Sequence, residues 1–165
     1  MIQKKVCMLG ATAVGKTSLV SRFVHSIFSD KYLTSVGVKI DKKSINAGDQ
    51  RVDLILWDLN GEDDFQKIRM SYLRGTSGYL LVIDGTRGET LDMALSLRDS
   101  AERAVGRVPF LLVANKADLA SSWEVDDAML GDLSKREWPI VRTSAKTGVG
   151  VEEAFAALTR AMLQD

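Results

Sequence analysis

Eight residues near the start of the chain, Gly10-Ala11-Thr12-Ala13-Val14-Gly15-Lys16-Thr17, fit G-x-x-x-x-G-K-[ST], the pattern of a phosphate-binding loop, or P-loop. The residue types suit a polyphosphate. Gly10 and Gly15 let the backbone turn tightly and approach the anion without a Cβ in the way. Backbone N–H groups of Ala13, Val14, Gly15, Lys16, Thr17 and Ser18 then form an inward-facing nest for the anion. Lys16 adds a cation for the terminal phosphates, and the Thr17 hydroxyl can ligate a phosphate-bound Mg²⁺. A helix starting here adds its unpaired N–H groups and the positive end of its dipole.

Such a loop works only between a strand and a helix, and the flanking residues predict both. Val6-Cys7-Met8-Leu9 reads as part of a buried strand over 3–9, and Leu19, Val20, Phe23 and Val24 mark a helix over 16–26. Residues 27–37 show no clean period and read as a loop. A lysine-rich edge strand follows at 38–46. The turn Ala47-Gly48-Asp49-Gln50 makes it a hairpin with a third strand, Val52 to Trp57. A polar loop at 58–66 leads into a helix over 67–74. Tyr79 to Ile83 and Phe110 to Ala114 are buried strands. Between them Thr90 is the expected N-cap of a helix with Leu91, Ala94, Leu95, Ala101, Ala104 and Val105 inward, closed by Gly106. A helix over 124–135 is expected to start near Ser121 or Ser122, a last strand runs from Trp138 to Arg142, and Val151, Phe155, Leu158 and Met162 line a final helix. The alternation predicts an α/β fold of the P-loop NTPase type: a six-stranded, mostly parallel sheet with one antiparallel edge strand and helices on both faces.

A parallel sheet binds its ligand outside the carboxyl ends of its strands, and polar clusters stand at those ends. After the third strand comes Asp58-Leu59-Asn60-Gly61. A carboxylate there can hold Mg²⁺ through water beside Thr17, and Gly61 can offer its N–H to a terminal phosphate. D-x-x-G by itself is equally a glycine turn; its place after this strand gives it weight. After the fifth strand comes Asn115-Lys116-Ala117-Asp118. The Asp118 carboxylate can accept two N–H donors from one edge of guanine, which adenine does not present. Asn115 would hold the loop and contact the base's other edge, and the Lys116 stem would cover the ring. After the sixth strand, Thr143-Ser144-Ala145-Lys146 can turn the Ala145 N–H toward the base's carbonyl oxygen.

At 165 residues the chain is sized for one domain, 1–165. Its 22 lysines and arginines balance 22 aspartates and glutamates, so no nucleic-acid partner is expected. Cys7 is the only cysteine, which rules out an internal disulfide and suits a small core residue. No apolar run reaches the length of a membrane span. Met1-Ile2 offers no myristoylation glycine and Leu163-Gln164-Asp165 no prenylatable cysteine, so a soluble, cytoplasmic protein without its own membrane anchor is expected. His25 reads as a surface residue, Trp123 and Trp138 as core or rim packing, and the methionines as core filling.

The four motifs, in this order and spacing, resemble the Ras superfamily of small GTPases over nearly the whole chain. Trp57-Asp58, Val36-Gly37-Val38 and the stretch from Phe65 to Tyr72-Leu73-Arg74-Gly75 are most similar to the Rab branch. The resemblance implies a monomeric switch that binds GTP or GDP with Mg²⁺ and hydrolyses GTP. Protein effectors and regulators would meet it through residues 27–45 and 58–74, which contain switch I (27–37) and switch II (58–74). It also implies that Phe28 packs edge-on against guanine. Ser35 would ligate Mg²⁺ with Thr17 and Asp58, Thr34 being the alternative one register away. Ile40, Trp57 and Tyr72 align with the family's apolar contact trio; here they form either a partner patch or core packing. Catalysis would fall to Lys16, Gly61 and the residue after it.

That residue is Glu62 where the family has glutamine, and Thr12 stands where a glycine or small residue is common. A carboxylate can accept a hydrogen bond from the attacking water but cannot donate one to a phosphate. It also adds negative charge, so slow hydrolysis is expected. The alternatives are a GTP-binding scaffold with little or no hydrolysis and a small P-loop kinase. Against the kinase, the chain has no arginine-rich lid insertion.

Overall fold

A computed structural model of the chain describes residues 2–26, 38–59 and 70–164. The expected loop at 27–37, the loop from 60 onward and the first residues of the helix expected at 67–74 lie outside them.

The short apolar runs become the interior strands of a six-stranded sheet. The strands are β1 (Ile2–Gly10), β2 (Val38–Ala47), β3 (Gln50–Leu59), β4 (Gly78–Asp84), β5 (Phe110–Asn115) and β6 (Ile140–Arg142). Their order is β2-β3-β1-β4-β5-β6, with only the β2–β3 pair antiparallel. A strand covered on both faces has no polar side, which is why β1, β4 and β5 read as continuous apolar runs. Alternate residues serve opposite cores. Val6 and Met8 of β1 join Leu80, Val82, Leu111 and Val113 on one face, while Cys7 and Leu9 join Leu81, Ile83, Leu112 and Ala114 on the other.

The first face is covered by α1 (Lys16–His25) and the last helix of the chain, α4 (Val151–Leu163), through the stacked rings of Phe23 and Phe155. The second is covered by α2 (Glu89–Val105) and α3 (Asp127–Lys135). Burying each such Phe or Leu side chain stabilises the fold by about 1.5–3 kcal/mol. No helix is long and apolar enough to cross a membrane among the described residues.

Several boundaries differ from the sequence expectation for local physical reasons. The β2–β3 ladder runs from Val38↔Leu59 to Ala47↔Gln50; it is longer at the turn because Gly48 takes φ 63° and closes a two-residue turn, and β3 runs on to Leu59. Thr90 lies inside the first turn of α2 rather than capping it. Its hydroxyl accepts from the Asp84 N–H at 2.9 Å and donates to the Arg87 carbonyl at 2.7 Å. Leu97 is buried in that helix and Ala104 exposed, the reverse of the pattern read for Ala104; Gly106 closes the helix as expected. Ser121 and Ser122 end a 3₁₀ turn (Ala117–Ser122), and Asp126 caps α3 by accepting from the Met129 N–H at 2.8 Å. The last strand starts at Ile140 rather than Trp138, because the Trp138 N–H still bonds the Leu133 carbonyl that closes α3 and Pro139 has no N–H to offer. The described part of the helix expected at 67–74 is a 3₁₀ turn, Met70–Leu73.

Candidate functional site

β1 lies between β3 and β4, where the chain's progress across the sheet reverses, so the loop after it opens at the topological switch point. Both glycines of the motif are hemmed in by other parts of the protein. A Cβ on Gly10 would meet the Val82 carbonyl oxygen at 2.5 Å; one on Gly15, at φ 105°, would meet Asn115 Nδ2 at 2.3 Å. The missing Cβ at these positions therefore also makes room for β4 and for the loop after β5. Ala13 adopts a left-handed φ of 64°. Val14 is buried, Ala13 is exposed, and Thr17 and Ser18 are half-buried at the start of α1. The buried Lys16 side chain folds back over the loop, its ammonium donating to the Gly10 and Ala11 carbonyls at 2.9 and 3.0 Å.

Asp58, near the end of β3, faces this loop. The Thr17 hydroxyl donates to its Oδ2 at 2.5 Å. Its Oδ1 is buried with no hydrogen-bond partner among the described residues. Burial pushes the carboxyl above the ordinary aspartate value of 3.8, against the opposing effects of the Thr17 bond and the Lys16 charge. A hydroxyl beside a buried carboxylate with an unused oxygen is the donor set of a hard divalent cation. The other residues assigned to metal and catalysis, Ser35, Gly61 and Glu62, lie outside the described residues, as does Phe28.

The loops after β5 and β6 are locked to the phosphate loop through one side chain. Asn115 Nδ2 donates to the Val14 carbonyl at 2.9 Å, while its Oδ1 accepts from the Thr143 hydroxyl at 3.0 Å and the Ala145 N–H at 3.3 Å. Asn115 thus holds three loops together, and the Ala145 N–H expected to face a base points at it. Lys116 sits at a left-handed φ of 72°, which swings the chain into the 3₁₀ turn and leaves Asp118 exposed. Asp118 accepts from the Ser144 hydroxyl at 2.7 Å, which fixes its carboxylate while leaving it open to a ligand. Arg22 of α1 donates to the Ala145 and Lys146 carbonyls and so holds the β6 loop from the other side, with Lys146 itself exposed.

The sequence expectation passed over the carboxyl end of β4. There Asp84 is buried, accepting at Oδ1 from the Thr86 N–H and hydroxyl at 2.9 and 2.6 Å. Its Oδ2 is shared by Lys116 Nζ at 2.8 Å and Arg87 Nε at 3.2 Å. Burial alone would raise this carboxyl; the bonds from Lys116 and Thr86 outweigh it and hold it below 3.8. The Lys116 head group is therefore committed to Asp84. Arg87 reaches on to the phosphate loop, its Nη2 donating to the Thr12 carbonyl at 2.7 Å. Trp123 closes this corner, its ring so near Gly85 that a Cβ there would lie 2.1 Å from it, and its Nε1 donates to the Lys116 carbonyl. The signal was available, since Asp84 ends a parallel strand at the edge where ligands gather.

Away from the crevice, Ile40 and Trp57 are register partners across β2 and β3, and the Trp57 and Tyr72 rings lie 6.1 Å apart. Ile40 is 52% exposed and Tyr72 37%, while Trp57 is half-buried with the Lys5 ammonium 3.8 Å above its ring. The trio is one patch, with Trp57 shared between patch and core. His25 is exposed, Trp138 packs edge-on against Phe110, and burial pushes the Cys7 thiol up.

Comparison with known proteins places this geometry. The family model described as the Ras family matches residues 5–164. The GTP-binding protein YPTM1 of Zea mays is 33% identical over 160 residues, covering 96% of this chain and 77% of the maize protein. The Ypt/Rab-type GTPase Rab7 of Neurospora crassa is 33% identical over 170 residues, covering 98% and 83% of the two chains. The Ypt/Rab-type GTPase ypt7 of Pyricularia oryzae is 33% identical over 164 residues, covering 94% and 80%. The chain therefore belongs to the Ras family, on its Rab branch.

Proposed function

We propose that this protein, read as a single domain over 1–165, is a guanine-nucleotide switch that binds GTP and GDP and hydrolyses GTP to GDP and phosphate. The observation that carries the reading is the bond from Asn115 Nδ2 to the Val14 carbonyl. It ties the loop bearing Asp118 to the loop bearing Lys16, so a base-reading carboxylate and a phosphate-binding cation would serve one ligand. Asp118 selects guanine because its carboxylate matches two N–H donors there and meets an acceptor on adenine. Ala13 to Ser18 would bind the phosphates, and Ser144, Ala145 and Lys146 would frame the base with Phe28.

Mg²⁺ fits the pair of Thr17 hydroxyl and Asp58 carboxylate, with Ser35 as a further ligand, and would neutralise the polyphosphate charge. The protein residues do the rest. Lys16 holds the terminal phosphates, Gly61 offers a backbone N–H, and Glu62 places the attacking water, accepting its proton as the nearby phosphates raise the carboxyl's pKa. Because Glu62 also repels the phosphates by about 1–4 kcal/mol at ~4 Å, depending on the local dielectric, hydrolysis should be slow. Effectors and regulators would read the state through residues 27–45 and 58–74, including the Ile40–Trp57–Tyr72 patch, in the cytoplasm.

The test is to identify the co-purifying nucleotide by chromatography and then follow phosphate release from GTP and Mg²⁺ in a single turnover. Guanine nucleotide, slow release without an added acceptor, and loss of most release in Glu62→Ala are expected. Bound GTP with no release would turn the reading into a scaffold, and release needing a small-molecule acceptor would make it a kinase.

A further inference from the structure

The phosphate loop is shaped by donors that take hold of its carbonyls. Lys16 takes those of Gly10 and Ala11, Asn115 takes that of Val14, and the Leu19 N–H takes that of Gly15 at 2.8 Å. The Thr12 carbonyl is taken by Arg87, a residue on another loop and 75 positions away in sequence. In a planar trans peptide the C=O of one residue and the N–H of the next point in opposite directions. Fixing the Thr12 carbonyl outward therefore fixes the Ala13 N–H inward, toward the anion nest. That peptide plane needs support, because Ala13 carries a Cβ at φ 64°, where a glycine would sit without strain.

We propose that Arg87 is a positioning residue for nucleotide binding, orienting the Ala13 N–H through the Thr12 carbonyl, with buried Asp84 holding the guanidinium in place and tying it to the base-reading loop through Lys116. Arginine suits this role. Its planar fork donates from Nε to Asp84 and from Nη2 to Thr12 at once, which a lysine's single head group cannot do over that span. Asp84 cannot swing away, since its other oxygen is held by Thr86. Lys116, Arg87 and Asp84 together carry one net positive charge between the two loops that embrace the nucleotide. Among the described residues, Glu89 Oε1, 4.0 Å from Arg87 Nη1, also faces the guanidinium.

This inference rests on the crevice being a guanine-nucleotide site, so the parent's own GDP binding is the control. The experiment measures release of a fluorescent GDP analogue and its inosine counterpart from the parent, Arg87→Ala and Arg87→Lys, with ³¹P spectra of the bound GDP. A charge-assisted hydrogen bond lost at the loop should speed GDP release about tenfold in Arg87→Ala. Arg87→Lys should recover less than half of that on a logarithmic scale. The β-phosphate resonance should move in both variants, and the inosine analogue should be released faster by the same factor as the guanosine one. Unchanged release with an unchanged ³¹P spectrum would overturn the proposal. So would full recovery in Arg87→Lys, which would reduce the residue to a charge, or faster release confined to the guanosine analogue, which would place its action at the base. Should Arg87→Ala fail to fold, Arg87→Lys alone decides between these outcomes. A parent that binds no GDP would instead refute the site itself.

Discussion

Asp58 and Asp84 stand at the ends of the two strands that flank β1, each with 1% of its surface exposed, and the fold treats them in opposite ways. Asp84 is saturated: Thr86 occupies one oxygen, Lys116 and Arg87 the other, and its carboxyl is held below the ordinary value. Asp58 is left open: Thr17 occupies one oxygen, the other has no partner among the described residues, and burial pushes its carboxyl up. Equal burial with opposite satisfaction separates architecture from function. A buried carboxylate whose oxygens are all bonded ties segments together, whereas one left open beside a hydroxyl suits a hard cation.

The contrast can be tested from three sides. The largest effect is expected outside the pair, at exposed Asp118, and serves as its control. Asp118→Asn should weaken GTP binding by on the order of 10³–10⁴-fold and admit xanthine nucleotides, whose extra carbonyl the amide can satisfy, while leaving the Mg²⁺ dependence intact. Competition binding checks this, and undiminished GTP affinity would remove Asp118 from the base site. Next is Asp58→Asn, which should reduce the Mg²⁺-dependent tightening of GTP by about 100-fold without lowering the melting temperature of the nucleotide-free protein. A Mg²⁺ titration that matches the parent's would erase the distinction between the two aspartates.

Asp84→Asn should do the reverse, lowering the melting temperature with little change in Mg²⁺ dependence. Removing one partner from a buried cluster is costly, but Lys116 and Arg87 are each about one-third exposed, which screens the loss. A cost of about 2 kcal/mol corresponds to roughly 4–8 °C for a domain of this size. Because the folded carboxyl titrates below 3.8, its contribution is fully present above that pH and disappears as pH falls through the folded value. The melting gap between parent and variant should therefore be steady near neutrality and close in strong acid. A gap that persists once the folded carboxyl is protonated would assign the loss to shape rather than charge.

The half of the site built on local rules was legible in the sequence. The P-loop has a fixed spacing, each interior strand has an apolar run, and β5 and β6 deliver Asn115–Asp118 and Thr143–Lys146 to the expected edge. The rest depends on pairings that no spacing encodes. Ser121 and Ser122 are as good a cap signal as Asp126, and what decides between them is distant: the N–H groups of Glu124 and Val125 both bond the Gly85 carbonyl and delay the helix. Thr90 has the right type for an N-cap but spends its hydroxyl on the turn after β4. Arg87 carries no local signature, and its role exists only because β1 and β4 are neighbours. The glycines have a further reason that no spacing encodes, since their missing Cβ atoms make way for Val82 and Asn115, residues far along the chain.

The most direct test of the guanine-nucleotide assignment is a competition experiment on the parent protein, stripped of nucleotide and loaded with fluorescent GDP, in which GTP and ATP are titrated with and without Mg²⁺. The expected result is displacement by GTP, tighter with Mg²⁺, and none by ATP over a concentration range of on the order of 10³-fold or more. Displacement by ATP as effective as by GTP, or GTP binding indifferent to Mg²⁺, would contradict the role of Asp118 in the first case and of the open Asp58 in the second.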